Sequence, residues 1–127
     1  MTIPPEGAAA AVTAALEYYT AWTQRDIDGA LSRLAEHVVC EAPAGRIEGR
    51  EAMRGFMGPF AESLTGAELV AAFGDDETAL IMYDTTTRAV AHAPGAECHT
   101  VVDGQITHIR MIFDRLPFEQ ARQAASS

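Results

Sequence analysis

Two side chains that could carry acid–base chemistry, Asp84 and Tyr18, lie in stretches that are otherwise largely apolar. Asp84 shares one face of a predicted strand with Leu80, Met82 and Thr86. Apolar surroundings disfavour the charged form of a carboxylate, which suits such a group to work as a general acid or base. The phenol of Tyr18 can donate a hydrogen bond to a ligand oxygen. We therefore predict that Asp84 and Tyr18 are the catalytic pair.

Each of the two residues also has a structural interpretation. Asp84 could be a buried carboxylate that backbone amides or an arginine satisfy where the strand bends. Tyr18 could pack in the core, with its hydroxyl bonded to Asp84 or to a main-chain carbonyl. The residue pattern alone leaves both alternatives open.

Apolar residues suited to line a ligand site occur in several elements. Trp22 follows Tyr18 by one helical turn. Phe56 belongs to a set with Met53, Met57 and Phe60 at i, i+3, i+4 and i+7 spacing, which predicts a buried helix face, and methionines suit an adaptable apolar lining. The predicted ligand-binding residues are Trp22, Phe56, Met82, Cys98, Met111 and Phe113.

The dipeptide Asp103-Gly104 separates two alternating runs and predicts a β-hairpin with a two-residue turn. Val102 would then pair with Gln105, and the same register would continue along both strands. One face is predicted to be inner and helix-covered, and it carries Cys98, Thr100, Ile109, Met111 and Phe113. The other face is predicted to be outer, with Glu97 opposite Arg110 and His99 opposite His108.

The histidines and cysteines suggest no metal centre. His99 and His108 could supply half of a metal site, but no third ligand follows at matching spacing. Cys40 and Cys98 form neither a disulfide framework nor a zinc motif, and we interpret them as buried thiols. We therefore expect no metal and no cofactor.

Three helical patterns, with a short strand over Val38–Cys40 between the second and the third, precede a series of strands. Helices are predicted up to about Arg25, over Ile27–Ala35 with Asp26 as N-cap, and from about Glu51 onward. From Thr65 the hydrophobic period changes to two, which predicts strands over Glu68–Phe73, Thr78–Val90, Ala96–Val102 and Gln105–Asp114. Helices followed by a curved antiparallel sheet indicate an α+β domain.

Composition narrows the possible partners and locations. The chain has 127 residues, 48% of them hydrophobic, which suffices for one core. Its 18 acidic and nine basic residues give a net charge of −9, which argues against nucleic-acid and membrane partners. No apolar run approaches the ~20 residues of a membrane span, and the N-terminus lacks signal-peptide features. We predict one cytoplasmic domain with a core over about 8–116, a tail after 117 that is loose or a short helix, and no segment left for a lid.

Several runs in these elements resemble the nuclear transport factor 2-like superfamily, in its SnoaL-like and ketosteroid-isomerase-like branch. The runs are residues 18–29, 39–43, 47–52, 80–84 and 103–114. The resemblance implies a cone-shaped α+β fold, in which a curved antiparallel sheet wraps three helices around a mostly apolar pocket and turns Asp84 into it. Members commonly dimerise through the outer sheet face, so we expect a homodimer through Glu97, His99, His108 and Arg110.

The catalytic residues of this branch are mostly missing from the sequence. Its oxyanion-binding tyrosine matches Tyr18, but the ketosteroid isomerase base falls on Ala42 and its protonated aspartate on Cys98. The acid–base aspartate that cyclase-like and epoxide-hydrolase-like relatives carry on the last strand falls on Met111. The resemblance implies a small hydrophobic ligand, carbonyl-bearing or polycyclic, with isomerase-, cyclase- or hydrolase-type proton transfer by Asp84 and Tyr18. The alternative is a non-catalytic ligand-binding or dimeric scaffold module of the same fold.

Overall fold

The computed structural model describes residues 9–126, which contain four helices and six strands. The helices are α1 (Ala10–Thr23), α2 (Ile27–Ser32), α3 (Arg50–Ser63) and α4 (Leu116–Ser126). The strands are β1 (Leu34–Ala42), β2 (Gly45–Glu48), β3 (Leu64–Gly74), β4 (Thr78–Thr87), β5 (Ala93–Val102) and β6 (Gln105–Phe113). Within the described part of the chain, no helix is long and apolar enough to cross a bilayer.

Helices α1 and α2 form where the sequence predicts them. Alanines favour helix and let α1 approach its neighbours closely, so that it contacts α2, α3 and four strands. Asp26 caps α2, because its side chain accepts a hydrogen bond from the Gly29 backbone N–H at 2.9 Å. The helix ends at Ser32 rather than at Ala35, since Leu34 is fully buried as the first residue of β1.

The strands form one curved sheet in the order β2-β1-β6-β5-β4-β3. All neighbours are antiparallel except β1 and β6, which run parallel. The α+β class is confirmed, with two differences from the prediction: the sheet is mixed, and the short strand β2 was not foreseen. The parallel pair joins the first strand to the last and thereby places β6 in the middle of the sheet.

The predicted hairpin register is right for its first two pairs and wrong beyond them. Asp103 and Gly104 have positive φ angles of 52° and 78°, and Val102 pairs with Gln105 as expected for this turn. A β-bulge then shifts the register by one residue, so that Thr100 lies opposite His108.

The bulge exchanges the faces of β5 relative to the prediction. Glu97 and His99 point inward, with 2% and 0% of their surface exposed, whereas Cys98 and Thr100 lie on the outer face. The β6 positions predicted to be inner, Ile109, Met111 and Phe113, do face inward.

The inner face of β4 was also assigned wrongly. The buried positions are Ala79, Ile81, Tyr83, Thr85 and Thr87, so Met82 and Asp84 lie on the outer face. Both alternating sets of this strand contain large apolar residues, and alternation alone therefore could not decide which set faces the helices.

The segment after residue 117, predicted to be a loose tail or a short helix, lies in helix α4. Its Phe118 packs edge-on against Phe113 of β6 and Phe60 of α3, at ring-centroid distances of 5.7 Å and 6.2 Å. The expectation that no segment remains for a lid is therefore wrong, because α4 covers one end of the space between the sheet and the helices.

Candidate functional site

A cavity of about 340 Å³ lies between the concave face of the sheet and helices α1, α3 and α4. Its volume is at the lower end of the range of small-molecule sites, roughly 300–1,000 Å³. Much of its wall is aromatic or otherwise apolar, formed among others by Trp22, Phe56, Met57, Phe60, Met111, Phe113 and Phe118. Polar groups from β4, β5, α1 and α4 complete the lining.

Glu97 places a buried carboxylate in this wall. The Tyr83 hydroxyl donates to Glu97 Oε2 at 2.5 Å, and His99 Nε2 lies 2.8 Å from Glu97 Oε1. Each carboxylate oxygen has two lone pairs, so both can accept a further hydrogen bond from a ligand. A carboxylate removed from water and still held by two partners is typical of a functional site.

The environment of His99 indicates which of its ring nitrogens carries the proton. Its Nδ1 is buried and has no hydrogen-bond partner among residues 9–126. A proton on Nδ1 would be a buried donor without an acceptor, which proteins rarely tolerate. We therefore place the proton on Nε2, from which it is donated to Glu97, and this leaves Glu97 as the acceptor of both hydrogen bonds.

Tyr18 and Tyr83 remain hydrogen-bond donors. Burial, reinforced by the negative charge of Glu97, raises the pKa of both phenols well above the usual value. The Tyr18 ring stands edge-on to His99 at a centroid distance of 5.5 Å. Among residues 9–126, its hydroxyl contacts only a weak acceptor, Met57 Sδ at 4.0 Å, and so suits donation to a ligand oxygen.

A glycine on β5 makes room for Tyr83. Gly95 pairs with Tyr83, and a Cβ at that position would lie 2.8 Å from Tyr83 Cε1. The Tyr83 ring thereby reaches Trp22 and Tyr19, at centroid distances of 5.2 Å and 5.7 Å. These contacts fix the ring whose hydroxyl holds Glu97.

Charged residues of the C-terminal segment line the opposite end of the cavity. Arg115, Glu119 and Arg122 all contribute to the lining. Arg115 Nη2 donates to Glu119 Oε1 at 3.3 Å, and Arg122 donates to the same oxygen. The cavity thus has an inner polar end at Glu97 and a charged outer end at α4.

The SnoaL-like domain model matches residues 15–109 of the chain. The chain belongs to the SnoaL-like family. No curated protein matches its sequence.

Solved structures share the fold of this SnoaL-like protein. A crystal structure from Kribbella flavida DSM 17836 is 55% identical, covers 94% of this chain and 98% of its own, and superposes with a TM-score of 0.90. A proposed ketosteroid isomerase from the same organism is 21% identical, with coverage of 83% and 78% and a TM-score of 0.69. A proposed polyketide cyclase from Sinorhizobium meliloti is 20% identical, with coverage of 78% and 93% and a TM-score of 0.69. At this level of identity, the last two similarities establish only a shared fold.

The structure of the SnoaL-like protein brings five of the eight predicted site residues to the cavity, Tyr18, Trp22, Phe56, Met111 and Phe113. Asp84, Met82 and Cys98 lie on the outer face and do not line it. The Asp84 side chain is 43% exposed and lies 3.5 Å from His92. Its predicted orientation into the cavity is wrong, and its assignment as a catalytic group has no geometric support.

Three polar residues of the site, Tyr83, Glu97 and His99, were not predicted as such. One signal in the sequence could have revealed Glu97 and His99. Ile106 and Ile109 are both apolar but three residues apart, which breaks strict alternation and marks the bulge. A bulge there turns Glu97 and His99 inward without any change to β6.

The structure also revises which hairpin residues lie on the outer face of the sheet, where the dimer interface was predicted. Glu97 and His99 are buried and do not belong to an outer interface. His108 and Arg110 do lie on the outer face, and His108 Nε2 is 3.0 Å from Glu41. Among residues 9–126 no group of three His, Cys, Asp or Glu side chains is placed to hold a metal ion.

Proposed function

We propose that this SnoaL-like protein binds a small apolar, carbonyl-bearing compound in its cavity and transfers a proton on it, with Glu97 as the base. One observation carries the proposal: a carboxylate with 2% exposure lies in an apolar cavity wall and accepts two hydrogen bonds. Glu97 thus takes the role that the sequence suggested for Asp84.

The residues suit proton removal next to a carbonyl. A Glu97 oxygen takes the proton from the carbon beside the carbonyl, and the C–H electron pair moves to form the enolate. The Tyr18 hydroxyl donates a hydrogen bond to the oxygen on which negative charge develops. Return of the proton from Glu97 to a different carbon yields an isomer, so no cofactor or second substrate is needed.

Tyr83 and His99 act as positioning residues in this proposal. Their donors hold the two oxygens of Glu97 in place, and the aromatic contacts of Tyr83 fix its own ring. A base held in this way loses little orientational freedom when the ligand binds. The similar folds carry proposed isomerase and cyclase activities, which are of the same chemical class, and this agreement supports the proposal as analogy.

Hydrogen–deuterium exchange on 2-tetralone, a fused-ring ketone with acidic α-protons, tests the proposal. The protein should accelerate exchange in D₂O by at least about a hundredfold over buffer, as general bases commonly do. Glu97→Gln should remove the acceleration, whereas Asp84→Asn should retain it. Tyr83→Phe should lower the maximal rate with little change in the half-saturating ketone concentration.

Binding is measured separately in the same samples. Trp22 is the sole tryptophan of the chain and lines the cavity, so quenching of its fluorescence reports occupancy. Binding without accelerated exchange would overturn the catalytic part and favour the non-catalytic module. Exchange that persists in Glu97→Gln would remove Glu97 as the base. Absence of binding would overturn the ligand class.

We further propose that the protein is a homodimer through the outer face of the sheet. Phe73, Leu80, Met82 and Ile112 lie on this face and are between 45% and 71% exposed. Arg110 on the central strand β6 and Glu68 on the edge strand β3 also lie on this face. We also expect a cytoplasmic location, since Cys40 and Cys98 are both free thiols.

The mass in solution tests the dimer. Leu80→Glu places a charge in the centre of the apolar face and should convert the dimer to a monomer in light scattering. Leu116→Glu, at an equally exposed leucine of α4, should leave the dimer intact. A wild-type protein that is monomeric at micromolar concentration would contradict the proposal.

A further inference from the structure

The negative charge of Glu97 has no positively charged partner in the described part of the chain. Its two donors are the Tyr83 hydroxyl and the Nε2–H of His99. His99 is neutral, because a second ring proton would leave its buried Nδ1–H without an acceptor among residues 9–126. None of the arginines in that range lies within ion-pair distance of Glu97. The cavity wall therefore holds a hydrogen-bonded carboxylate whose charge is not neutralised.

A cation that entered the cavity would supply the missing charge. Glu97 is only 2% exposed, so water stabilises it little, and buried charges in proteins are usually paired with charges of opposite sign. Each of its oxygens already accepts one hydrogen bond and keeps a lone pair for another. A charge-assisted hydrogen bond is stronger than a neutral one, and it gains strength where water is excluded.

Aromatic rings at this inner end of the cavity also favour a cation. The Trp22 ring lies 5.2 Å from the Tyr83 ring, whose hydroxyl holds Glu97, and the Tyr18 ring lies 5.5 Å from His99. Trp22, Tyr18 and Tyr83 all line the cavity. The faces of aromatic rings attract cations, and tryptophan does so most strongly.

The few polar acceptors at this end indicate which kind of cation fits. Apart from Glu97, the nearby side-chain hydroxyl on β4 is that of Thr85, which already donates to the Ala93 carbonyl oxygen at 2.6 Å. A primary ammonium group would bring three N–H donors into this apolar space. A tertiary ammonium group brings one N–H, which a single Glu97 oxygen satisfies, and its alkyl groups can pack against the rings.

We propose that the cavity also binds ring compounds that carry a protonated tertiary amine, with the amine N–H donating to Glu97. The net charge of −9 attracts such cations to the protein, and the inner end of the cavity then selects them. The proposal rests on the proposed function only in using the same cavity. Because the amine occupies the carboxylate proposed as the base, it would compete with a ketone substrate.

Two ligands of the same shape and different charge test the proposal. 2-(Dimethylamino)tetralin is protonated at neutral pH, and 2-isopropyltetralin is its neutral isostere on the ring frame of 2-tetralone. Each is titrated into the purified full chain, with quenching of Trp22 fluorescence as the readout. The amine should bind at least about tenfold more tightly than the isostere. Added salt should leave this preference in place, since buried pairs are screened much less than surface charges.

A matched pair of carboxylate-to-amide variants assigns the preference to one residue. Glu97→Gln removes the charge and should weaken amine binding at least about tenfold while leaving the isostere unchanged. Asp84→Asn makes the same chemical change on the outer face and should leave both affinities unchanged. Because a folding defect would weaken both ligands, loss of amine binding alone identifies the charge of Glu97.

A quaternary analogue tests the hydrogen bond in the wild-type protein and needs no variant. 2-(Trimethylammonio)tetralin keeps the positive charge but has no N–H, so it should bind about tenfold more weakly than the tertiary amine. Equal or tighter binding of the quaternary compound would overturn the contact between the amine N–H and Glu97.

The remaining outcomes separate this proposal from the proposed function. Equal binding of the amine and its isostere to the wild type, or a preference that disappears with salt, would overturn the cation site. Accelerated 2-tetralone exchange without an amine preference would leave the proton transfer standing and the cation site wrong. An amine preference without accelerated exchange would support the cation site and overturn the proton transfer.

Discussion

Two acidic residues on neighbouring strands show how burial and partners decide what a carboxylate can do. Asp84 lies on the outer face of β4, with a 43% exposed side chain and one histidine nearby. Glu97 lies on the inner face of β5, almost fully buried, with a tyrosine and a histidine on its two oxygens. Water can solvate Asp84, whereas Glu97 depends entirely on protein groups and on whatever enters the cavity. The second environment is the one suited to proton transfer.

The comparison predicts very different effects of removing each side chain. Glu97→Ala leaves the Tyr83 hydroxyl and the His99 Nε2–H without their acceptor in a buried region, and should lower the free energy of unfolding by about 2–4 kcal/mol. Asp84→Ala should change it by no more than about 0.5 kcal/mol, because exposed pairs contribute little. Urea unfolding measures both. Equal stabilities of the two variants would show that Tyr83 and His99 do not depend on Glu97.

Two strand glycines extend the comparison to the backbone. Gly95→Ala would place a methyl group 2.8 Å from the Tyr83 ring and should destabilise the protein by about 1–3 kcal/mol. Gly66→Ala is the control on the outer face, where the new Cβ would lie 4.0 Å from Thr86 Cβ and the effect should stay within about 0.5 kcal/mol. Thermal unfolding measures the difference, and a Gly95→Ala variant as stable as the control would mean that Tyr83 can move without loss.

The fold was largely predictable from the sequence, because helix periodicity, the Asp26 cap and the Asp103-Gly104 turn are local signals. Which face of each strand points inward was harder to predict. One extra residue in β6 reverses the faces of β5, and that single bulge separates the predicted outer position of Glu97 from its real place in the cavity wall. In β4 both faces are apolar, so the choice between Tyr83 and Asp84 depends on the helices that cover one face. Tertiary packing therefore decided the site where local patterns could not.

The smallest expected effect concerns the inner face at alkaline pH. Tyr83 is neutral when folded, because burial and Glu97 raise its pKa well above the usual value of 10.0. In the unfolded chain it ionises near pH 10, and its contribution to stability is therefore present below that pH and is lost as the pH rises toward the folded pKa. Between pH 9 and 11 the wild type should lose about 1.4 kcal/mol more stability than Tyr83→Phe, measured by urea unfolding at each pH. Tyr19→Phe should reduce the alkaline loss by a similar amount, since burial raises the Tyr19 pKa to about 12. An equal alkaline loss in the wild type and in Tyr83→Phe would mean that the fold does not keep the Tyr83 phenol neutral.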